Sequence, residues 1–258
     1  MEICVLGSGS GGNSTCIRSG NTTLLIDAGF NYKELRQRLL SVQIDPYAIQ
    51  AILFTHEHID HYRAARVFSH KLPQTEFFAN MATSDAINHL SQEDLPWTVF
   101  ETSQSFAVGD LQITSFSVSH DCADPVGYLI ADDHSRLFYA TDLGTATILV
   151  RQKFQGCTGA ILESNHDVQM LMDSDRAWSL KQRIKGDSGH LSNDDAAALV
   201  RSSITPELRL LLLAHISGEC NTHQMARETM QETLRAVNRQ DVRLETLQQD
   251  TPSEWFSL

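Results

Sequence analysis

Thr55-His56-Glu57-His58-Ile59-Asp60-His61 is the stretch that decides the fold, and it directly follows the apolar run Ala51-Ile52-Leu53-Phe54. The apolar run predicts a buried strand, so the stretch lies at the end of that strand. Three imidazoles and an aspartate that can bind a metal or a proton fall within residues 56–61, at His56, His58, Asp60 and His61. Imidazole and carboxylate ligands suit Zn, Mn or Fe better than Ca or Mg. We interpret the stretch as the local part of a metal site that distant segments complete; the alternative is a solvated histidine-rich loop.

The spacing inside this stretch favours two metal ions. His56 and His58 are two residues apart, so their rings point to the same side of an extended segment. Asp60 and His61 come after a turn and can face the opposite side of a small cavity. A single ion would not need ligands on both sides.

Three later residues stand where further ligands are needed. His120 ends the predicted strand 111–119, Asp142 follows the strand 137–140, and His215 follows the strand 210–214. Taken singly, each has a structural explanation, as a buried imidazole or as the N-cap of a helix over 145–150. Together with the first stretch they predict a metal centre. Two ions about 3.5–4 Å apart need a bridging oxygen ligand, for which Asp142 is our candidate.

Two further segments are expected to support the site. Asp27 ends the predicted strand 22–26, and because a buried carboxylate is costly without partners, we expect it to orient a metal-binding histidine. The glycine-rich loop 7–14 lacks the spacing of a dinucleotide or P-loop motif and leads into a strand. Its Asn13 and Ser14 side chains can still contact a phosphate.

Composition limits the class of protein. The 258 residues are 41% hydrophobic, which allows one α/β domain over residues 1–258. A formal charge of −12 excludes a generally basic, nucleic-acid-coating surface, so any such contact is local and metal-assisted. The start of the chain lacks a basic, apolar leader and no run is long enough to span a membrane, so we expect no membrane partner. Five scattered cysteines without a CxxC pair fit a reducing cytoplasm.

The residues that follow the motif predict packed sheets with outer helices. Helical spacing is seen over 31–40, 62–72 and 82–90, and apolar or alternating runs predict strands between them. No internal repeat or low-complexity linker interrupts the pattern.

The candidate ligands and Asp27, in their order along the chain, resemble the signature of the metallo-β-lactamase fold superfamily. The matching positions are a strand-end aspartate, the HxHxDH stretch and three later ligands: Asp27; His56, His58, Asp60 and His61; His120, Asp142 and His215. The resemblance implies an αββα sandwich of two mixed β-sheets flanked by helices. It also implies two divalent ions, Zn, Mn or Fe, with Asp142 between them. The implied ligand sets are His56, His58 and His120 for one ion, and Asp60, His61 and His215 for the other.

The later motifs resemble the nuclease branch of that superfamily. An aspartate at position 142, without a cysteine, is unlike the true β-lactamases. The motifs 7–13, 119–121, 124–128, 163–167 and 189–193 are similar to those of the bacterial YycJ/WalJ-like group, which implies 5′→3′ exonuclease activity on DNA. The long arm of tRNase Z has no counterpart, and the interval from Asp142 to His190 is too short for the cap domain of β-CASP nucleases.

A phosphodiesterase mechanism follows for the candidate residues. The reaction needs an activated water, neutralised phosphate oxygens and a proton for the leaving oxygen. A water between two divalent ions loses a proton near neutral pH, and we expect Asp60 to ligate and to accept that proton. We expect His190 to protonate the leaving group, with Glu163 orienting its ring and raising its pKa. The alternative for His190 is a position at the start of a helix over 193–200.

Contacts with the substrate are less sharply indicated. Candidates from the later motifs are Asn165, His166 and Asn221. Lys181, Arg183 and Lys185 can touch a nucleic-acid backbone or form a solvated charge run. Trp178 and Tyr128 can stack on bases, although aromatic residues more often pack in a core.

Three rival functions remain beside the DNA exonuclease. The acidic charge favours a hydrolase of the same fold that acts on a small phosphodiester or a thioester. A tRNA 3′-processing endonuclease is a second rival, and a non-enzymatic binding module that only retains the fold is a third.

Overall fold

The structure, a computed structural model, describes residues 1–258. The strands are β1 (Glu2–Gly7), β2 (Ser14–Ser19), β3 (Thr22–Ile26), β4 (Ala51–Leu53), β5 (Glu76–Asn80), β6 (Trp97–Phe100), β7 (Ser105–Val108), β8 (Leu111–Ser117), β9 (Val126–Ala131), β10 (Arg136–Ala140), β11 (Gly159–Glu163), β12 (Leu210–Ala214), β13 (Arg243–Thr246) and β14 (Phe256–Ser257). The helices are α1 (Tyr32–Ser41), α2 (Ile59–Tyr62), α3 (Ala65–Lys71), α4 (Met81–Ser91), α5 (Ile148–Phe154), α6 (Val168–Asp173), α7 (Trp178–Lys185), α8 (Asn193–Ser203) and α9 (His223–Ala236).

The chain divides into two compact units. The first comprises Met1–Ser115, Cys122–Val126 and Gln248–Ser257. Its sheet has the order β14-β1-β2-β3-β4-β5-β6. Strands β14 to β3 pair antiparallel and β3 to β6 pair parallel, so this sheet is mixed. Leu35 and Leu39 of α1 and Phe68 of α3 are buried with apolar residues of these strands, which fixes the helices against the sheet.

The second unit comprises Phe116–Asp121, Gly127–Leu247 and Leu258. The second sheet has the order β13-β12-β11-β10-β9-β8-β7. Strands β10 to β13 pair parallel, whereas β9 pairs antiparallel with β10. Phe138, Leu162 and Leu213 of this sheet share a core with side chains of α5, α8 and α9. This sheet is also mixed and has helices packed against it.

The parallel strands place the functional loops. In an open α/β sheet, ligand sites form beyond the carboxyl ends of parallel strands. Asp27 follows β3 and Thr55 lies just after β4, and these strands pair parallel in the first unit. Asp142, Glu163 and His215 lie at the ends of β10, β11 and β12, which pair parallel in the second unit. Each unit therefore gathers candidate residues at one edge of its sheet.

The helix predicted over 62–72 is present but shorter, because α3 covers only 65–71 and Tyr62 ends the separate short helix α2. The carbonyl oxygen of Asp60 accepts a hydrogen bond from the backbone N–H of Asn13 at 2.8 Å. Ala64 N–H, which a continuous helix would direct to Asp60, donates instead to Ala28 O at 2.8 Å. Contacts from two distant segments thus interrupt the helix at residues 63–64.

The helix expected over 145–150 begins later, at Ile148. Its N-cap is Thr147, whose hydroxyl accepts from the N–H of Val150. Asp142 lies five residues before this cap, and its backbone is left-handed, with φ of 57°. The helix-capping explanation of Asp142 therefore does not hold.

None of the helices is both long and apolar enough to cross a membrane. All five cysteines are free thiols. The organisation of residues 1–258 as one domain stays a prediction.

Candidate metal centre and catalytic residues

The histidines of the HxHxDH stretch lie together in the first unit. The ring centroids of His56 and His58 are 4.7 Å apart, and those of His56 and His61 are 4.0 Å apart. His56 and His61 are buried, whereas His58 and Asp60 are partly exposed. Oδ2 of Asp60 lies 3.6 Å from Nε2 of His61. The stretch therefore brings three imidazoles and a carboxylate together.

Asp27 makes the contact that its strand-end position predicts. Its Oδ2 lies 2.8 Å from Nδ1 of His61, and its Oδ1 accepts the N–H of Thr55 at 2.9 Å. The Thr55 hydroxyl lies 2.9 Å from both Asp27 Oδ2 and Nδ1 of His56. Burial raises the pKa of the Asp27 carboxyl against the opposing effects of His61 and Thr55. The bond to Asp27 fixes the ring of His61 through Nδ1, so Nε2 is the nitrogen that an ion would take.

Asn13 and Ser14 hold this segment together and are themselves buried. The Asn13 side chain accepts from the N–H of Gly9 at 2.8 Å and donates to Gly9 O at 3.0 Å. Its Nδ2 also lies 3.0 Å from Nε2 of His61 and 3.3 Å from Oδ2 of Asp60. The Ser14 hydroxyl donates to the carbonyl oxygen of Asp27 at 2.8 Å. These bonds show a positioning role for both residues; their predicted contact with substrate stays a prediction.

The second unit gathers Asp142, Glu163, His190 and His215. One ligand-type atom of each lies within 4.8 Å of the others. Nδ1 of His215 is 3.2 Å from Asp142 Oδ1 and 2.8 Å from Glu163 Oε1. Nδ1 of His190 is 2.8 Å from the same Glu163 oxygen and 3.8 Å from Asp142 Oδ1. The predicted pair of His190 and Glu163 is thus in hydrogen-bonding contact.

Glu163 is fully committed to orienting its neighbours. Its Oε1 accepts from the two histidines, and its Oε2 accepts from the N–H groups of Leu143 and Leu191 at 3.0 and 3.1 Å. Burial alone would raise its pKa, but the attraction and hydrogen bonds of His190 and His215 lower it to about 2. With both oxygens occupied, Glu163 acts as an orienting carboxylate and is not suited to bind an ion.

The pKa of His190 shifts in the opposite direction to that of Glu163. Burial would lower its pKa, but the charge and hydrogen bond of Glu163, aided by Asp142 and Asp121, raise it to about 9. The pKa of His215 is also raised, because Asp142 and Glu163 outweigh its burial. The protonated form of His190 is therefore favoured at neutral pH in the metal-free protein.

His120 is oriented by the loop that carries His190. Its Nδ1–H donates to the carbonyl oxygen of Gly189 at 2.9 Å. Its Nε2 lies 3.6 Å from Asp121 Oδ1 and 3.9 Å from Asp142 Oδ1. The backbone carbonyl fixes the tautomer and directs Nε2 toward the carboxylates, which is the arrangement expected of a metal-binding histidine.

Three of the strand-end residues have a left-handed backbone. The φ angles are 60° at Asp27, 57° at Asp142 and 52° at His215. Such angles are uncommon outside glycine, and they cluster at functional sites where surrounding contacts enforce them. All three lie just after a strand, so backbone conformation supports the selection of these residues.

The asparagines of the later motifs are buried and bonded to the backbone. Asn165 Nδ2 donates to His215 O at 2.8 Å, and Asn221 Nδ2 donates to the carbonyl oxygens of Ser164 and Asn165, both at 3.0 Å. These bonds fix the segment that carries His215. As with Asn13 and Ser14, a contact of Asn165 and Asn221 with substrate stays a prediction.

Two contacts of the candidate site are not predicted by the sequence motifs. The first is the hydrogen bond between Glu163 and His215. Glu163 ends β11 and His215 follows β12, and the parallel pairing of these strands is the signal for this contact. The second is made by the Thr55 hydroxyl, whose place before His56 in the motif gave a signal.

Comparison with known proteins shows the family. Residues 22–216 match the Beta-lactamase superfamily domain. Exodeoxyribonuclease YycJ of Bacillus anthracis is 33% identical over 237 residues, which cover 91% of this chain and 89% of that protein. Exodeoxyribonuclease WalJ of Streptococcus pneumoniae is 34% identical over 234 residues, which cover 89% and 87%. The chain belongs to the YycJ/WalJ family of the beta-lactamase superfamily.

Solved structures confirm the fold of this YycJ/WalJ family member. The metallo-beta-lactamase fold protein YhfI from Bacillus subtilis matches with a TM-score of 0.75 and 15% identity, covering 98% of each chain. Human tRNase Z, short form, matches with a TM-score of 0.64 and 18% identity, covering 84% of this chain and 93% of that one. At such identities only the fold is shown. The predicted fold class, with two mixed sheets flanked by helices, is confirmed.

Superfamily membership also confirms the predicted enzyme class, a metal-dependent hydrolase. The side chains in each unit fit divalent ions, since they combine imidazole nitrogens with carboxylate oxygens and include no thiolate. In the second unit, His120, Asp142 and His215 remain as ligand candidates once Glu163 and His190 are assigned to their mutual hydrogen bond.

Proposed function

We propose that this protein is a dinuclear metal-dependent phosphodiesterase that degrades DNA from the 5′ end. The observation that carries the proposal is the 2.8 Å bond between His190 Nδ1 and Glu163 Oε1, beside the carboxylate of Asp142. A hydrolase of this superfamily needs a proton donor next to its ions, and an imidazole oriented by a carboxylate supplies one. The relatives named exodeoxyribonucleases support the substrate class.

The ligand assignment is part of the proposal. One ion would be held by His56, His58 and His120, and the other by Asp60, His61 and His215. Asp142 would offer an oxygen to each. Divalent ions bound there would lower the pKa of a water and neutralise the charge that develops on the phosphate. Zn and Mn both suit this donor set, and Fe is also compatible with it.

Two residues carry out the proton transfers, one as acceptor and one as donor. Asp60 accepts a proton from the attacking water. Its carboxylate is partly exposed, so water can reach it, and it lies beside the proposed ligand His61. His190 donates a proton from its Nε2 to the leaving oxygen, because its Nδ1–H is held by Glu163. Glu163 keeps both the donor His190 and the ligand His215 in place through one oxygen.

A few exposed groups on α7 suit a local contact with a nucleic-acid strand. Trp178 is 63% exposed and can stack on a base. Arg183 pairs with Asp121, next to His120, so a phosphate there can exchange for the carboxylate as its partner. Lys181, however, is buried, and its ammonium donates to Met172 O at 2.6 Å, so it links α7 to α6 and does not face a substrate. A cytoplasmic location stays a prediction.

The proposal is tested with DNA and RNA substrates labelled at the 5′ or the 3′ end, single- and double-stranded. After chelation, Mn or Zn is added back and the products are resolved by length. We expect metal-dependent release of mononucleotides from the 5′ end of DNA. Release from the 3′ end would refute the polarity, and preference for RNA would refute the substrate. If the metal-loaded protein cleaves only bis-p-nitrophenyl phosphate or glutathione thioesters, the nuclease proposal is wrong.

A further inference from the structure

A cavity of about 320 Å³ lies in the second unit, and two of its lining residues are close in sequence to Asp142 and His190. Its walls include Gly144, two residues after Asp142, and Leu191, directly after His190. Its volume is at the lower end of the roughly 300–1,000 Å³ range of small-molecule sites. A cavity of this size holds a group of nucleotide dimensions and excludes a duplex.

His166 lines this cavity with an unsatisfied imidazole. The residue is 1% exposed, and neither ring nitrogen has a hydrogen-bond partner. The backbone holds it firmly, since His166 bridges to Ser192 and accepts the N–H of Asn193 at 2.9 Å. Buried polar atoms in native proteins are nearly always hydrogen-bonded, so such a ring indicates a group that binds in the cavity. Burial lowers the pKa of His166, so the neutral ring offers one donor and one acceptor.

The charged groups of the cavity are of two kinds. Arg151 is committed to the walls, because its guanidinium donates to the carbonyl oxygens of Ala146 and Ala198. Lys185, at the end of α7, is exposed and its ammonium forms no hydrogen bond or ion pair. A cation without a partner beside a polar cavity suits a phosphate group.

Two carboxylates in the cavity favour a larger ligand with donor groups over a bare anion. Asp187 and Asp195 also line the cavity. Asp195 accepts the hydroxyl of Ser192 at 2.6 Å and keeps further acceptor capacity. These carboxylates repel a lone phosphate, whereas the amino groups of a nucleobase and the hydroxyl of a sugar can donate to them. The cavity therefore matches a ligand with both a phosphate and neutral donors and acceptors.

We propose that this cavity binds one nucleotide, with its phosphate at Lys185 and its base or sugar at His166. The inference rests on the proposed function, in which it gives the terminal nucleotide of the strand a site next to the reacting phosphate. The same cavity retains the released nucleoside monophosphate, which makes that product an inhibitor.

The test is titration calorimetry of deoxyadenosine monophosphate into the metal-loaded protein, residues 1–258. The variants are His166→Phe, which keeps a ring of similar size without its nitrogens, and Lys185→Ala, which removes an exposed charge. The matched controls are His134→Phe, at an exposed turn, and Lys33→Ala, on an exposed face of α1. Metal content is measured for every protein, and inorganic phosphate is titrated in parallel.

We expect each variant to bind the nucleotide at least about tenfold more weakly, which corresponds to the loss of a hydrogen bond at a charged or buried group. Metal content and nucleotide binding by both controls should be unchanged, and inorganic phosphate should not show the Lys185-dependent affinity, because Asp187 and Asp195 repel a bare anion. No nucleotide binding by the wild type, or equal affinity in wild type and Lys185→Ala, overturns the inference. Because Lys185 is exposed, its variant decides the question even if His166→Phe does not fold. Calorimetry measures binding without catalytic turnover. Nucleotide binding can therefore be detected even if the protein does not degrade DNA, so the two proposals are tested separately.

Discussion

Oε1 of Glu163 lies 2.8 Å from Nδ1 of His190 and 2.8 Å from Nδ1 of His215. One carboxylate oxygen thus orients the proposed proton donor and a proposed metal ligand together. The other oxygen is fixed by two backbone N–H groups, so Glu163 cannot turn without breaking bonds at Leu143 and Leu191. In the proposed mechanism, proton transfer and metal binding would therefore depend on the same side chain.

Glu163→Gln tests this dependence. The amide removes the negative charge and one acceptor, so both histidines lose their charged partner. We expect nuclease activity to fall by about 10²-fold or more, and metal affinity by roughly 10–100-fold. Activity is measured on labelled DNA, and metal affinity by competition with a chromophoric chelator. Glu232→Gln, on the exposed face of α9, is the control. Lost activity with unchanged metal affinity would contradict the role at His215.

His190→Ala separates chemistry from metal binding. Removing the proton donor should reduce the rate of DNA cleavage by about 10²–10⁴-fold, while the metal content stays that of the wild type. Cleavage kinetics and elemental analysis are run on the same samples, with His134→Ala as the control. Wild-type rates in His190→Ala would exclude it as the donor, and loss of metal would make it a ligand.

The pKa of His190 can be measured in the chelator-treated protein. Its rise from 6.5 to about 9 comes chiefly from Glu163, which overcomes the effect of burial. Because the folded pKa is raised, the stabilisation from this ion pair is complete below pH 6.5 and is lost as the pH rises through 9. NMR titration should place the His190 pKa near 9 in the metal-free wild type and lower in Glu163→Gln. Equal values would show that Glu163 is not the cause.

Gly29 fixes the position of the HxHxDH stretch. A Cβ at this position would lie 1.6 Å from the carbonyl oxygen of Asp60, whereas a Cβ at Gly218 meets nothing within 4 Å. We expect Gly29→Ala to lower the free energy of unfolding by more than about 3 kcal/mol or to prevent folding. Gly218→Ala should stay within about 0.5 kcal/mol. Urea unfolding of both variants checks this, and equal stability would show that the close approach at Gly29 is not required.

Much of the fold and of the candidate site was predictable because the decisive signals are local. The spacing of His56, His58 and His61 and the apolar strand before them are visible in one short stretch. The ends of β10 and β12 were equally clear, since Asp142 and His215 follow strongly apolar runs.

What the sequence could not predict depends on long-range contacts. The break between α2 and α3 arises from hydrogen bonds with Asn13 and Ala28, which are distant along the chain. Strand β11, which ends at Glu163, is a short run that periodicity cannot distinguish from a helix segment. The unsatisfied ring of His166 is a property of packing, so it is visible only in the structure.

The central claim is most directly tested by counting the divalent ions that each chain binds. Protein loaded with Mn or Zn, freed of excess metal, is analysed by inductively coupled plasma mass spectrometry against protein concentration. The account predicts two ions per chain for the wild type and fewer for His215→Ala. A wild-type protein that folds and binds no more than one ion would contradict it.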